Sequence, residues 1–282
     1  MILVPYPSHP NTVVGDLRVW RDVYSPQLDN TRDILVWLPP DYETSTRRYP
    51  VFYMHDAQNL FDANTGYAGE WQVDETMTML AREGLAALVV ALPNMREQRT
   101  TEYSPYRVEM GDWRAEGTGD AYVRFLVDTV KPAVDRALRT RSEADSTGVA
   151  GSSMGGLISL YAAVTHPEIF GLCGAFSVAY WFGEHALAAQ IRASERYPGR
   201  VYLDVGTREG ETLGRWSGLS GTEADAAYVR GVRELRDTLT ATGCGALMYV
   251  EDEGAAHRES AWAARFPEAM RFLLATNAEV AP

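Results

Sequence analysis

The stretch Val149–Gly156 has the sequence VAGSSMGG, and the apolar run Leu157–Ala163 follows it directly. It contains the pattern G-x-S-x-G, in which small residues let the chain turn sharply from a strand into a helix and leave a serine hydroxyl exposed at the bend. The pattern selects Ser153, because the glycines do not flank Ser152 at the required spacing. An ordinary glycine-rich turn can contain the same five residues, so the pattern needs a strand before it and a helix after it. Residues 147–150 and the apolar run are typical of those two elements.

Composition indicates a large folded core and excludes several classes of partner. Of the 282 residues, 46% are hydrophobic and 11% aromatic, and no Pro/Ser/Gly-rich linker divides the chain, so we expect one domain over residues 1–282. The net charge of −12, without a cluster of Lys and Arg, argues against nucleic acid and against an anionic membrane surface. The two cysteines, Cys173 and Cys244, have no motif spacing and predict buried free thiols.

The N-terminus and the apolar runs predict a cytoplasmic protein. The run Met1–Val4 is followed by prolines and lacks a basic segment, which speaks against a signal peptide. The longest apolar runs are too short to cross a bilayer.

Strand and helix patterns alternate along most of the chain. The β-rich runs 12–24 and 32–38 predict an antiparallel pair at the start of the sheet. Buried strands are predicted at 50–55, 86–92, 172–177, 201–205 and 246–250, and helices at 71–82, 119–138, 184–195, 223–241 and 259–275. This order predicts an α/β fold with a mostly parallel central sheet, helices on both faces, and ligands at the carboxyl ends of the strands.

Two details of this pattern bear on function and helix geometry. Residues 94–117 are polar and predict a long irregular loop, which in a compact domain usually covers a functional site. The helix at 119–138 contains Pro132, where we expect a kink.

A serine needs a base and a group that orients that base before it can act as a nucleophile. In the α/β-hydrolase order the serine comes first, then an acid, then a histidine. His257 lies after the last predicted strand, where this base is expected, whereas His55 ends a buried strand and is interpreted as structural. The other histidines, His9, His166 and His185, lie in the terminal arm or at helix ends.

The acid is expected after the strand that precedes the strand of the base. Asp204 and Glu209 both lie in this region. Glu209 follows the strand and is favoured over a plain surface glutamate, whereas Asp204 lies within the strand and is expected to matter for folding. Asp252 is too close to His257 in sequence to come from a different strand end.

An oxyanion formed at the serine needs preorganised N–H donors. The expected donors are the backbone N–H of Met154 and one from Ala57 or Gln58 in the loop after the strand at 50–55, although that loop could also be a solvated turn. No H-E-x-x-H or similar set of ligands is present, so neither a metal nor a cofactor is predicted.

At this point the chain resembles the esterases related to enterochelin esterase, together with the feruloyl and acetyl-xylan esterases of carbohydrate esterase family one, S-formylglutathione hydrolases and mycolyltransferases. The resemblance extends over most of the chain, and its motifs together are specific. The matching segments are Tyr49–Asp62, Glu102–Pro105, Gly151–Gly156, Gly206–Glu209, and His257 with Trp262.

The resemblance implies Ser153 as nucleophile, His257 as base, Glu209 as acid, and the N–H groups of Gln58 and Met154 as the oxyanion hole. The sequence departs from the family pattern in two places. Ala57 replaces a usual glycine, and Ser177-Val178 replaces a usual Ser-Pro near the pocket wall. Trp181 and Phe182 then become candidate substrate-binding residues, although core packing would explain these aromatic side chains equally well.

Together these features predict a serine esterase that acts through an acyl-enzyme intermediate on a small-molecule ester, with a sugar ester or a siderophore ester among the candidates. An acyltransferase of the same fold and a catalytically silent binding protein are the alternatives. The sequence leaves open the acyl and alcohol parts of the substrate and the oligomeric state.

Overall fold

The structure is a computed structural model that describes residues 1–8, 10–110, 113–183, 185–194 and 196–275, without the side chains of residues 108–110, 113–115 and 216. Its strands are β1 Leu3–Pro5, β2 Asp16–Ser25, β3 Asn30–Leu38, β4 Val51–His55, β5 Leu88–Leu92, β6 Val108–Met110, β7 Trp113–Ala115, β8 Thr147–Ser152, β9 Leu172–Phe176, β10 Arg200–Arg208 and β11 Ala246–Ala256. Its α-helices are α1 Val73–Arg82, α2 Arg99–Glu102, α3 Gly119–Arg124, α4 Lys131–Ala137, α5 Met154–Thr165, α6 Ala186–Ala193, α7 Gly210–Ser217, α8 Gly221–Ala241 and α9 Glu259–Leu274.

Nine strands form one sheet in the order β1-β2-β3-β5-β4-β8-β9-β10-β11. Strands β1, β2 and β3 are antiparallel and join the sheet where β3 pairs with β5. The six strands from β5 to β11 in that order are parallel, so their carboxyl ends lie along the same edge. The predicted α/β fold, its mostly parallel sheet and its antiparallel opening pair are confirmed.

Buried side chains alternate between the two faces of the sheet, as the period of a strand requires. On β4, Val51 and Tyr53 belong to a core cluster shared with α3, α4, α5, α6 and α8. Phe52 and Met54 belong to a second cluster, which includes side chains of α1 and α9. Because both faces of β4 are covered, its apolar run is continuous rather than alternating.

Several elements differ from the sequence-based expectation. The short strand β1 was not predicted, and neither was α7 between β10 and α8. The segment 94–117 contains α2, a short 3₁₀ turn at Arg96–Gln98 and the two-stranded ribbon of β6 and β7 in place of a wholly irregular loop.

The helix predicted over 119–138 is interrupted before Pro132. A π-helical segment, Phe125–Val130, separates α3 from α4, and Pro132 lies in the first turn of α4. Proline has no N–H to donate to the carbonyl four residues earlier, and the hydrogen-bond pattern of the helix changes in the segment ahead of it. A kink at Pro132 stays a prediction.

None of the helices within the described ranges is both long enough and apolar enough to cross a membrane.

Candidate active site

Ser153 lies between β8 and α5 with φ 58° and ψ −119°, a conformation that side-chain-bearing residues rarely adopt. The turn is as tight as the motif predicts. A Cβ atom on Gly151 would lie 2.9 Å from the carbonyl carbon of Gly155, so only glycine fits there. The N–H of Ser153 donates to the Phe176 carbonyl at the end of β9 (2.9 Å), which fixes the turn against the neighbouring strand.

Left-handed backbone recurs at three adjacent strand ends. Asp56 follows β4 with φ 57°, Ser153 follows β8 with φ 58°, and Ser177 follows β9 with φ 44°. Since these strands are neighbours in the sheet, three polar residues in sparsely populated backbone conformations lie side by side at its carboxyl edge. Such clusters mark functional sites more often than ordinary turns.

Glu209 and His257 are joined directly at the same edge. Glu209 follows β10 and His257 follows β11, and Glu209 Oε2 lies 3.0 Å from His257 Nδ1. The Glu209 side chain is completely buried and that of His257 is 12% exposed. Glu209 Oε1 accepts hydrogen bonds from the Gly206 N–H (2.7 Å) and from the Ser177 hydroxyl (2.7 Å). Both carboxylate oxygens therefore have partners, as a buried polar group requires.

The close approach at Gly206 explains the glycine before Glu209. A Cβ atom there would lie 2.4 Å from the Ala255 carbonyl oxygen and 2.7 Å from Glu209 Oε1. Any larger residue would push the acid away from its donor.

Ser177 supports Glu209 from the other side. Its hydroxyl donates to Glu209 and accepts from the Trp262 indole N–H (2.9 Å) and the Arg265 guanidinium (3.1 Å). One donor and two acceptor positions are the full capacity of a hydroxyl group, so this one is completely used. The backbone carbonyl of Ser177 accepts from the Tyr228 hydroxyl (2.6 Å).

Asp204 lies within β10, as expected, and is fully buried. Its carboxylate pairs with Arg265 (2.7 Å) and accepts from the Ser177 N–H (2.9 Å) and the Tyr202 hydroxyl (3.0 Å). Burial raises the pKa of Asp204 to about 6 although Arg265 opposes the rise, so the group is ionised at neutral pH. No hydrogen bond joins it to His257 in the described part of the chain.

Aromatic rings surround the histidine. The Trp262 ring is perpendicular to the His257 ring at 5.0 Å between centroids, and the Tyr228 ring lies at 5.6 Å. The Tyr228 hydroxyl is also 3.4 Å from His257 Nδ1, a long contact beside the 3.0 Å bond to Glu209. These contacts restrict the ring to an orientation in which Nδ1 faces the acid.

The structure brings Glu209 and His257 into contact but does not join Ser153 to either of them by a hydrogen bond. Among the described residues, the Ser153 hydroxyl has no hydrogen-bond partner. Catalytic hydrogen bonds are often loose in the absence of substrate, so the open contact is compatible with a nucleophile that is engaged only when an ester binds.

The expected oxyanion donors lie on either side of this turn. Gln58 belongs to the 3₁₀ turn Ala57–Asn59 after β4, and Met154 is the first residue of α5. Within the described ranges, neither backbone N–H donates to another protein group. The Gln58 side chain is occupied, because its amide exchanges hydrogen bonds with the N–H and the C=O of Asn94, both at 3.1 Å.

Arg99 in α2 holds the loop of Gln58 in place. Its guanidinium forms two hydrogen bonds with the Asp56 carboxylate, at 2.7 and 2.8 Å, and the Asn94 amide adds a third at 2.6 Å. Burial alone would raise the pKa of Asp56, but Arg99 and Asn94 together hold it below the ordinary value. The segment 94–102 is thus tied to the backbone that carries one of the expected oxyanion donors.

His55 lies at the end of β4, and a structural role for it stays a prediction. It is buried, and its Nδ1 lies 2.8 Å from the Tyr122 hydroxyl. Burial lowers its pKa to about 4, so the ring is neutral at neutral pH.

Comparison with known proteins places the chain in a family. The family model described as "Putative esterase" matches residues 25–273, which is most of the chain. The chain belongs to this esterase family. The suspected esterase resemblance and the assignment as an ester hydrolase are therefore confirmed.

Individual relatives are more distant. The uncharacterized protein YbbA of Bacillus subtilis (strain 168) is 28% identical over 182 residues, which cover 64% of this chain and 69% of YbbA. The crystal structure of the BES protein from Bacillus cereus superposes with a TM-score of 0.71 at 17% identity and covers 95% of this chain and 98% of that chain. The enterobactin esterase FES from Shigella flexneri, solved in the presence of 2,3-di-hydroxy-N-benzoyl-glycine, gives a TM-score of 0.67 at 18% identity over 95% of this chain and 60% of that chain. At these identities the two structures show a shared fold alone.

The two aromatic residues predicted to bind substrate have different environments in this esterase. Trp181 is partly exposed. Its ring is perpendicular to that of Tyr228, with 4.8 Å between the centroids, and the Tyr228 ring in turn contacts the ring of His257. Its indole N–H is buried and has no partner in the described part of the chain. Phe182 is 5% exposed and packs in the main core cluster. Substrate contact at either residue stays a prediction.

Sequence reasoning missed three groups that shape the site: Ser177 as a donor to the acid, Arg265 as the partner of Asp204, and Arg99 as the clamp on Asp56. For one of these groups, the amino-acid sequence contains a pattern that could have revealed it. Arg265 interrupts the apolar face of α9 formed by Trp262, Phe266 and Ala269, and a charged residue on such a face requires a buried partner.

Proposed function

We propose that this esterase is a serine carboxylic-ester hydrolase that works through an acyl-enzyme intermediate. In this proposal Ser153 is the nucleophile, His257 the base and Glu209 the acid that orients the base. The observation that carries the proposal is the buried 3.0 Å contact between Glu209 and His257 beside the strained turn of Ser153.

In the acylation step, the Ser153 hydroxyl attacks the carbonyl carbon of the ester and its proton passes to His257 Nε2. An ionised Glu209 next to Nδ1 keeps the proton of the neutral ring on Nδ1, so Nε2 is free to accept. The bond to the alcohol then breaks, and the imidazolium returns the proton to the leaving alcohol oxygen. The acyl group remains on Ser153.

The hydrolysis step repeats this chemistry with water. His257 removes a proton from the water as its oxygen attacks the acyl carbon, and that proton then returns to the Ser153 oxygen as the acid is released. In both steps the imidazolium carries a positive charge near Glu209, and a buried carboxylate with fixed donors stabilises it without rearrangement.

The negative charge that develops on the carbonyl oxygen requires donors on the opposite side. The backbone N–H groups of Gln58 and Met154 are proposed for this role, since neither is used within the described chain. Because the Gln58 side chain is bonded to Asn94, only its backbone remains available.

The substrate proposed is an ester of a small acyl or aryl acid, such as a sugar ester or a siderophore ester. Enterobactin esterases and a ferulic acid esterase are among the proteins with a similar fold. The partly exposed Trp181 provides an aromatic surface near His257 that suits such an acid.

Active-site labelling tests the nucleophile. The protein is treated with a fluorophosphonate probe, and the adduct is located by peptide mass spectrometry. We expect a single adduct on Ser153 and none in Ser153→Ala. The matched control is Ser152→Ala, which removes the neighbouring hydroxyl and should retain the label. An adduct on another residue, or none on the folded wild-type protein, would contradict the proposal.

Steady-state turnover of the same variants measures how much Ser153 contributes to the rate. With an aryl acetate as substrate, Ser153→Ala should lower kcat about a million-fold, because the three residues act as a unit. A panel of aryl acetates, acetylated and feruloylated sugars and a catecholate siderophore lactone then identifies the ester class. Transfer of the acyl group to an added alcohol in preference to water would identify an acyltransferase instead.

A further inference from the structure

Three carboxylates lie together at the start of α1, apart from the proposed triad. One oxygen each of Glu70, Asp74 and Glu75 lies within 4.8 Å of the other two. No motif in the sequence predicted a ligand set here, because the residues come from one short segment that carries no histidine or cysteine.

One oxygen of each carboxylate lacks a protein partner. Glu70 Oε1, Asp74 Oδ1 and Glu75 Oε2 are all buried and accept no hydrogen bond within the described chain. Asp74 is completely buried as a residue, and only its other oxygen is satisfied, by the Val14 N–H at 2.5 Å. A buried carboxylate oxygen without a donor is costly, so an unpartnered oxygen in a fully buried side chain points to a group that is missing from the protein itself.

The charge of the cluster is also unmatched. In the described part of the chain no Lys, Arg or His forms an ion pair with any of the three carboxylates, and Glu70 Oε2 receives only a hydroxyl hydrogen bond from Thr12 (3.2 Å). A bound cation would supply the positive charge that the described residues do not.

Carboxylate oxygens at this spacing suit a hard cation of a certain size. Calcium binds oxygen ligands at about 2.3–2.6 Å, so two ligands on opposite sides lie up to about 5 Å apart. Magnesium binds at about 2.0–2.1 Å, which limits that separation to about 4.2 Å and demands stricter geometry. Three carboxylate oxygens that lie within 4.8 Å of one another can all reach one calcium ion, and calcium tolerates the irregular geometry that residues from one short segment provide, whereas magnesium does not.

A cation here would join three segments of the chain. Trp71 and Val73, within the cluster segment, donate backbone hydrogen bonds to the carbonyls of Asn59 (2.8 Å) and Leu60 (3.0 Å) in the loop after β4. Asp74 receives the Val14 N–H of the N-terminal arm. The cluster thus sits where the arm, that loop and α1 meet.

We propose that Glu70, Asp74 and Glu75 form a structural calcium site that fastens the N-terminal arm and the loop after β4 to the start of α1. None of its three residues contacts Ser153, Glu209 or His257, so the site is separate from the proposed triad, although the loop after β4 that it fastens also carries Gln58.

The test measures stability and binding, not turnover. The full chain is stripped with a chelator, and its thermal midpoint is recorded with calcium, with magnesium and with neither. Titration calorimetry on the stripped protein gives the stoichiometry. We expect one calcium per chain and a rise of about 5 °C at a calcium concentration about a hundred times the Kd, with a smaller response to magnesium.

Two variants assign the effect to this cluster. Asp74→Asn keeps an oxygen for the Val14 N–H but removes the charge, so it should fold at least as well in chelator and lose the calcium response. Glu168→Gln, a change at an exposed carboxylate on another surface, should retain the full response.

The opposing outcomes are distinct. If the wild-type protein binds no calcium and its midpoint is unchanged by it, the site is overturned, and a proton shared between Asp74 and Glu75 explains the cluster. A calcium response that persists in Asp74→Asn would place the cation elsewhere and overturn the assignment. An equal response to magnesium would overturn the choice of calcium.

Discussion

Two groups of buried carboxylates in this protein differ in what satisfies them. Both oxygens of Glu209 and of Asp204, after and on β10, have partners: Gly206, Ser177 and His257 for Glu209, and Ser177, Tyr202 and Arg265 for Asp204. Glu70, Asp74 and Glu75 lie together at the start of α1, with an unpartnered oxygen on each. In the first group the protein supplies the partners of every carboxylate oxygen. In the second group the unpartnered oxygens require a proton or a cation from solution.

The two groups therefore differ in function: one consists of carboxylates whose partners the protein supplies, and the other of carboxylates whose charge a proton or a cation has to neutralise. A carboxylate with preorganised donors is held in place beside His257, where it can stabilise an imidazolium as it forms. A carboxylate without donors binds a proton or a cation. Burial alone does not distinguish the two cases, since Asp74 and Asp204 are both fully buried.

The strongest test of the completed group is Glu209→Gln. The amide cannot stabilise the imidazolium, so kcat should fall by about a thousand- to ten-thousand-fold. Its NH₂ group would also face the donors at Gly206 or Ser177, so stability should fall by about 1–3 kcal/mol. Steady-state kinetics on an aryl acetate and thermal unfolding measure the two effects.

The control for this change lies two residues away on the same segment. Glu211 is highly exposed and pairs only with Arg215, so Glu211→Gln should be neutral in both assays. A kcat for Glu209→Gln within tenfold of the wild type would show that Glu209 is not the orienting acid.

Asp204→Asn should instead act on folding. It leaves the nearly buried Arg265 without its principal charge partner, which typically costs about 3–5 kcal/mol. Chemical denaturation measures the loss, and kcat of the folded fraction should change far less than in Glu209→Gln.

Asp252→Asn is the matched comparison, because Asp252 also pairs with Arg265 (3.1 Å) but is 37% exposed. It should cost under about 1 kcal/mol. If Asp204→Asn were as stable as the wild type and inactive, the acid would have been assigned to the wrong carboxylate.

Ser177→Ala should have a smaller effect than Glu209→Gln on turnover, since it removes one of two fixed donors to Glu209. A hydrogen bond to a charged group is worth about 1.5–3 kcal/mol, so kcat should fall about 10- to 100-fold while KM stays within about twofold. The backbone at φ 44° is equally strained with alanine, and Ser152→Ala serves as control. Lower thermal stability without a change in kcat would contradict a positioning role for Ser177.

The parts of the fold that could be predicted from sequence are those with a strong local pattern. Continuous apolar runs bounded by turn residues gave the parallel strands, and G-x-S-x-G gave the turn at Ser153. The π-helical segment before Pro132 could not be predicted, because no sequence pattern distinguishes a π-helical turn from an α-helical one. Helix α7 was missed for a different reason: its first N–H is bonded to Asp225, fifteen positions later in α8, which is a tertiary contact.

The candidate site also has residues that could be predicted from the sequence and residues that could not. Chain order and strand ends pointed to Ser153, Glu209 and His257, since those positions follow from topology. The supporting contacts of Ser177, Arg265 and Arg99 depend on which side chains meet across the carboxyl edge of the sheet. Nothing in the local sequence of Ser177 indicates that its hydroxyl would be shared among Glu209, Trp262 and Arg265.

The turn at Ser153 has a consequence for engineering. Its backbone conformation costs a side-chain-bearing residue on the order of 1–3 kcal/mol, and its hydroxyl contributes no hydrogen bond within the described chain to offset that cost. Glycine adopts this conformation without penalty, so Ser153→Gly would make the molecule harder to unfold while removing the proposed nucleophile. A library screened for heat resistance alone would therefore favour the loss of this residue, and a useful screen must reward turnover and heat resistance together.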